Sequence, residues 1–205
     1  LIRDGVEGAG KVWADLGSGE GAFTLALADV LGPGGTIYTV DRDRRALEVQ
    51  LEALRTRFPG VLVAPLVADF TKPLELPPLD GIVMANSLHF HRDKLAILRL
   101  VRGYLKPDGR FVLVEYGADR GNPWVPHPLS FGTWSKLAAE AGFRETRQLA
   151  SVPSRFLGSI YSALSYRRSL AGSLHDRVSR HPSDERWPAL RDGAADSRDP
   201  DRQPG

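Results

Sequence analysis

The sequence contains no cysteine. That excludes a disulfide framework and any metal centre held by thiolates. No apolar run reaches the ~20 residues needed to span a bilayer. No positively charged start followed by an apolar stretch suggests a secretory leader. A cytoplasmic location with no membrane partner is therefore expected. A dominant charge is also missing: 27 Lys+Arg face 25 Asp+Glu, a formal net charge of +2. Neither the stretch up to Tyr166 nor the remainder carries a strong field, so charge points to no nucleic-acid partner.

What is present is ordinary globular composition, with 42% hydrophobic and 25% charged residues in a 205-residue chain. That length suits one domain with a buried core and some extra chain. From Lys11 to about Tyr116, strand-like and helix-like stretches alternate. Lys11–Leu16, Thr36–Val40, Val61–Ala68, Leu79–Leu88 and Arg110–Tyr116 read as strands, the third interrupted near Pro65. Ala22–Leu31, Asp43–Phe58 and Asp93–Leu105 read as helices with apolar faces. Such alternation predicts parallel strands with right-handed crossovers, a doubly wound α/β domain. Phe131–Ala141 reads as a further helix, capped by Ser130 and ended by Gly142. Phe143–Leu149 and Arg155–Ser165 read as two final strands, the second equally open to a helical reading. Residues 1–166 are taken as the domain. Residues 167–205, dominated by Arg, Asp, Ser, Pro and Gly, are taken as a disordered tail.

Asp15-Leu16-Gly17-Ser18-Gly19-Glu20-Gly21 follows a strand and opens a helix, the context in which a glycine-rich stretch means most. Glycines let the chain turn tightly and let a ligand approach bare peptide. The helix N-terminus behind the turn offers free amides to an anion. A dinucleotide would place its pyrophosphate there, on G-x-G-x-x-G spacing. This chain has G-x-G-x-G, and a carboxylate at Asp15 would repel a pyrophosphate. Asp41, beside Arg42, ends the second strand, where a carboxylate can accept two hydrogen bonds from a ribose diol. An N-cap role for Asp41 is compatible with that.

The turn resembles the first motif of class I S-adenosylmethionine-dependent methyltransferases of the small-molecule type. The resemblance covers roughly Lys11 to Tyr166. Leu105-Lys106-Pro107-Asp108-Gly109-Arg110 and Ala141-Gly142-Phe143 are similar to that family's entries to its fifth and sixth strands. It implies a Rossmann-like sheet, mostly parallel with an antiparallel last strand and helices on both faces. It implies S-adenosylmethionine as cofactor, with Gly17, Ser18, Gly19 and Gly21 at its methionyl end and Asp15 toward its ammonium. It places Asp41 and Arg42 at the ribose, Asp69 by the adenine amine, and Phe70 against the ring. Asn86-Ser87-Leu88-His89-Phe90 would border the transferable methyl, with Asn86 on the cofactor. The helices that often precede the family's first strand are mostly absent here. So is the Asn/Asp-Pro-Pro-Tyr/Phe stretch common in methyltransferases acting on nucleobase amines. A small-molecule methyl acceptor is expected.

A base is needed only when the attacking group arrives protonated. His89 is the candidate, since imidazole titrates near neutral pH; packing over the cofactor is its alternative role. His91 is read as a surface residue near a helix start. Glu115 and Tyr116 end the fifth strand near the pocket, Trp124 is a candidate substrate wall, and Trp134 reads as packing. His89, His91 and His127 lack a carboxylate partner at metal-ligand spacing, and no metal is expected. Two other readings stay open. An NAD(P) oxidoreductase would want G-x-G-x-x-G and a catalytic Tyr/Lys pair, and a non-catalytic regulatory protein could keep the cofactor fold.

Overall fold

A computed structural model describes residues 1–6, 8 and 10–167. The strands are β1 (Val12–Leu16), β2 (Thr36–Asp41), β3 (Leu62–Val67), β4 (Leu79–Ala85), β5 (Leu105–Tyr116), β6 (Phe143–Pro153) and β7 (Ser159–Arg167). The helices are α1 (Ala22–Leu31), α2 (Arg44–Arg57), α3 (Lys94–Tyr104) and α4 (Phe131–Glu140). The strands form one sheet in the order β3-β2-β1-β4-β5-β7-β6. Pairings from β3 through β5 are parallel, and β7 runs antiparallel to both β5 and β6. The order reverses between β1 and β4. In open α/β sheets that reversal opens a crevice at the carboxyl ends of the strands.

Both sheet faces are covered, so the central strands carry unbroken apolar runs whose alternate residues serve opposite layers. Ile82 and Met84 of β4, with Phe111 and Leu113 of β5, pack beneath Leu98 and Val101 of α3 and Trp134 and Ala138 of α4. Val83, Ala85, Val112 and Val114 face the other layer, with Leu27 and Leu31 of α1 and Leu54 of α2. Trp13 of β1 joins that second layer and is fully buried.

Caps explain several helix limits. Asp43 accepts hydrogen bonds from the amides of Arg45 and Ala46, so it is the N-cap of α2, and Asp41 is free of that duty. Ser130 caps α4 through the amide of Thr133. Gly142, at φ 89, lies just beyond that helix.

Four expectations are corrected. Pro65 does not interrupt β3, which pairs continuously with β2. An edge strand tolerates a proline whose missing amide faces away from its neighbour. β4 stops at Ala85, because Asn86 turns to φ 53 and leads into a short 3-10 turn, Leu88–Phe90. The Pro107-Asp108-Gly109 turn is an irregularity within β5: pairing with β4 jumps from Leu79↔Leu105 to Gly81↔Arg110. The last strand begins at Ser159, after a reversal closed by Ser154 donating to the carbonyl of Gly158, and it includes Arg167. The tail expected beyond Arg167 lies outside the described residues.

Gly81 shows how tightly the central strands are packed. A Cβ there would sit 2.4 Å from three ring atoms of Trp13. Gly81→Ala should therefore cost about 1–3 kcal/mol through overpacking. Urea unfolding checks this, and unchanged stability would mean that the indole can slide aside.

Candidate active site

The glycine turn leaves β1 at the order reversal and enters α1. Its three glycines are all left-handed: Gly17 at φ 78, Gly19 at φ 53 and Gly21 at φ 87. Their reasons for being glycine differ. A Cβ on Gly17 would lie 2.5 Å from the Cβ of Ser87, and one on Gly21 would lie 2.5 Å from the Cβ of Gln50. A Cβ on Gly19 would meet nothing within 4 Å. Two glycines thus serve packing, and Gly19 alone of the three presents bare backbone to open space.

Most turn amides are already used. Gly17 and Ser18 donate to the carbonyl of Val40 at 2.8 and 3.1 Å, and Gly21 donates to that of Ser18 at 3.0 Å. Gly19 donates to Asp41 Oδ2 at 2.8 Å. The free amides expected of the helix N-terminus are therefore not supplied by the turn. What remains is the first turn of α1, whose amides have no intrahelical acceptor. Ala22 and Phe23 of that turn border the cavity.

Gln50, missed in the sequence, and Ser87, read there only as part of the stretch beside the methyl, hold this geometry. Gln50 is fully buried, and its Nε2 donates to Ser18 Oγ at 2.8 Å and to the carbonyl of Gly19 at 2.9 Å. Ser87 donates to the carbonyl of Leu16 at 2.9 Å, tying the ends of β4 and β1 together. A signal for Gln50 existed: it shares the buried stripe of α2 with Leu47 and Leu54. A polar side chain at such a position calls for a partner.

The cavity over the turn measures about 450 Å³, within the range of ligand sites. It gathers Gly17, Ser18, Gly19, Asp41, Arg42, Phe70 and Asn86 from the expected set. Glu20, Ser87, Phe90 and His91 join them, so His91 is a wall of the cavity and is not merely a surface residue. Its ring meets Phe70 edge-on at 5.2 Å. Burial pushes its imidazole pKa down, against the opposing pull of Asp69.

Asp15, Gly21, Asp69 and His89 are not among the lining residues. Asp69 folds back in a local turn, its Oδ1 accepting from the amide and hydroxyl of Thr71 at 2.9 and 2.7 Å. Those bonds hold its carboxyl below the usual range. His89 is buried against Glu115. Asp15 lies beneath the turn with 1% exposure, its Oδ2 accepting from Thr24 of α1 at 2.7 Å. Burial raises its carboxyl to about 7, with Thr24 opposing and Asp41 adding to the rise.

Several groups invite an amino-acid nucleoside. Asp15 Oδ1 and Asn86 Oδ1 are buried acceptors without a hydrogen-bond partner, which suits an ammonium. The α1 amides suit a carboxylate. Asp41 uses Oδ2 on Gly19 and Oδ1 on the amide of Asp43. Each carboxylate oxygen has a second lone pair, leaving capacity for a diol.

A profile of the methyltransferase domain family matches residues 8–146. The chain belongs to that family: it is a class I S-adenosylmethionine-dependent methyltransferase, with S-adenosylmethionine as its cofactor. No curated protein sequence matches it. Its fold is shared with YcgJ of Bacillus subtilis at TM-score 0.62 and 16% identity, covering 82% of this chain and 96% of that one. A SAM-dependent methyltransferase of Aquifex aeolicus gives 0.61 and 20%, covering 80% and 86%. The 1,6-didemethyltoxoflavin-N1-methyltransferase of Burkholderia thailandensis, solved with its acceptor and S-adenosylhomocysteine, gives 0.62 and 18%, covering 78% and 72%.

The glycines separate experimentally. Gly19→Val should cost only the left-handed strain of about 1–2 kcal/mol yet abolish S-adenosylhomocysteine binding in calorimetry. Gly17→Ala should lower the melting temperature more, by overlap with Ser87. Full binding by Gly19→Val would refute the placement of the open side.

Asp15 gives a pH signature. Its carboxyl titrates near 3.8 when unperturbed and near 7 in the fold, so the folded state holds the extra proton between those values. Its stabilising contribution is fully present below the lower value and is lost as pH rises through the upper. Asp15→Asn removes that loss. Its stability relative to wild type should grow from about pH 4 to about pH 8, by on the order of a few kcal/mol. Parallel melting curves across that range would contradict the burial assigned to Asp15.

Proposed function

We propose that this chain methylates a small-molecule acceptor by in-line displacement at the mouth of the cavity. The observation carrying this reading is the open side of Gly19, which faces a concave site of ligand size while both flanking glycines face side chains. S-adenosylmethionine supplies an activated methyl group on a sulfonium, so the protein's tasks are alignment and exclusion of water.

In this reading Asp41 and Arg42 hold the ribose, and Phe70 packs against the base with Asp69 near its amine. Asn86 and Asp15 receive the ammonium. The acceptor enters past Phe90, which lines the cavity yet is 59% exposed. The near balance of charge gives no field suited to a polyanion. The Burkholderia structure, an N1-methyltransferase with bound 1,6-didemethyltoxoflavin, supports the same class.

Calorimetry with S-adenosylhomocysteine and NADH, followed by an acceptor panel read by mass spectrometry, tests the reading. S-adenosylhomocysteine should bind, NADH should not, and a small molecule should gain one methyl group. Asp41→Ala should weaken S-adenosylhomocysteine by about 1–3 kcal/mol, losing charged hydrogen bonds and the brace on Gly19. An unchanged dissociation constant would mean that the ribose lies elsewhere. Methylation of proteins or nucleic acid alone would overturn the small-molecule assignment.

A further inference from the structure

Two loop tips stand at the end of the sheet where the cavity opens. β5 runs into residues 117–130, and the reversal between β6 and β7, residues 154–158, lies beside that exit, with Tyr116 paired to Ile160. Each tip carries a large aromatic side chain turned outward: Trp124 is 70% exposed and Phe156 is 58% exposed. Apolar residues scattered singly over a surface are ordinary, whereas joined ones mark a contact. These two are joined. Asn122 Oδ1 accepts from the amides of Trp124 and Val125 at 3.0 and 2.8 Å, and its Nδ2 donates to the carbonyl of Phe156 at 3.3 Å. Val152, also exposed, lies on the strand leading into the second tip.

Trp124 is held outward by its own loop. Val125 and Leu129 of that loop are buried and anchor it. A Cβ on Gly121 would lie 2.2 Å from the carbonyl oxygen of Pro126, so the loop is folded tightly on itself. The amide of His127 donates to the carbonyl of His89 at 3.0 Å. The 3-10 turn holding His89 also carries Phe90, which lines the cavity and is likewise exposed. Tyr116 meets Phe156 edge-on at 6.2 Å. The tips are thus fixed to the cavity rim, and an aromatic ring already pinned in water needs little further ordering when a partner covers it.

Charge indicates the partner. The chain as a whole is balanced, yet residues 120–130 and 146–158 hold Arg120, Arg147 and Arg155 and no Asp or Glu. The acids bounding those stretches are engaged: Asp119 accepts from the amide of Ser130 at 2.9 Å, and Glu145 pairs with Arg144. Arg120 and Arg155 are exposed, and neither forms an ion pair among the described residues. An indole favours the boundary between hydrocarbon and water, and arginines beside it suit lipid phosphates. Exposed aromatic tips flanked by cations fit a layer that they can enter.

We propose that Trp124 and Phe156 enter the headgroup layer of an anionic lipid surface, with Arg120 and Arg155 beside its phosphates, so that the cavity mouth is held at the membrane. Among the described residues no helix is long and apolar enough to cross a membrane, and a surface contact needs none. The expectation of no membrane partner rested on the lack of a spanning run. The contact stands independently of the small-molecule reading above and of the acceptor's identity.

Vesicle sedimentation of the full chain tests this, using phosphatidylcholine alone and phosphatidylcholine mixed with phosphatidylglycerol. The chain should bind the mixed vesicles more tightly than the neutral ones, and less tightly as salt rises. Trp124→Ser should weaken that binding about tenfold or more, and Phe156→Ser should act in the same direction. Arg120→Glu with Arg155→Glu should remove the preference for mixed vesicles. Each variant should keep its S-adenosylhomocysteine affinity, a check that the fold is intact. A second readout does not depend on those variants. In Trp187→Phe the indoles other than Trp124 are Trp13 and Trp134, both fully buried. Lipids brominated near the headgroup should therefore quench Trp124 in that protein. No binding to mixed vesicles, equal binding to both kinds, or binding without quenching would overturn the proposal. So would binding that a folded Trp124→Ser variant leaves unchanged. Self-association that Trp124→Ser abolishes, with no vesicle binding, would assign the patch to a second copy of the chain instead.

Discussion

The hydrogen bond from the Gly19 amide to Asp41 Oδ2, at 2.8 Å, is the constraint on which the site depends. It joins the end of β2 to the turn after β1. It holds Gly19 in a left-handed conformation with its bare side toward the cavity. A turn with several left-handed residues has little intrinsic preference for one shape, because glycine resists no alternative. The shape comes from outside: Asp41 and Val40 on one flank, Gln50 from α2, and Ser87 from β4. The strand order brings those donors and acceptors together, since β1 lies between β2 and β4. The shape of the turn and the sheet topology are thus one arrangement.

Buried polar groups around the turn divide into two kinds. Gln50 Nε2, Ser87 Oγ and Thr24 Oγ1 have partners in the protein and stiffen the scaffold. Asp15 Oδ1, Asn86 Oδ1 and Gln50 Oε1 have none, and unpaired buried acceptors are costly in a fold with nothing to gain from them. The elevated carboxyl of Asp15 has burial as its main cause, since a charged carboxylate is disfavoured away from water.

Much of the architecture was legible in the sequence, because 3.6-residue and continuous apolar patterns distinguish helices from doubly covered strands. Ala22–Leu31 and the core of each parallel strand follow directly from that contrast. Local reading failed where a neighbour decides. Pro65 looked like a break because nothing in its own segment reveals that β3 lies at an edge. The irregularity after Leu105 looked like a separate turn because its strand partner, β4, is distant in sequence. At the site, spacing identified the turn but could not assign its glycines: the overlaps with Ser87 and Gln50 arise from β4 and α2. Glu115 and Tyr116 were read as strand-end residues of the pocket, yet neither is among the residues lining the cavity. The bonds between Glu115 and His89 exist because β4 and β5 are adjacent.

Pro65 has a consequence beyond local tolerance. β3 forms a border of the sheet, and its Leu62 and Val67 are 66% and 45% exposed. A sheet border with exposed aliphatic side chains is a template on which a foreign strand could polymerise. A proline midway along it deprives such an intruder of a donor and interrupts any continuous ladder. The residue that first resembled a flaw in the segment thus lies where a further strand would have to pair, on the margin of the sheet beside β2.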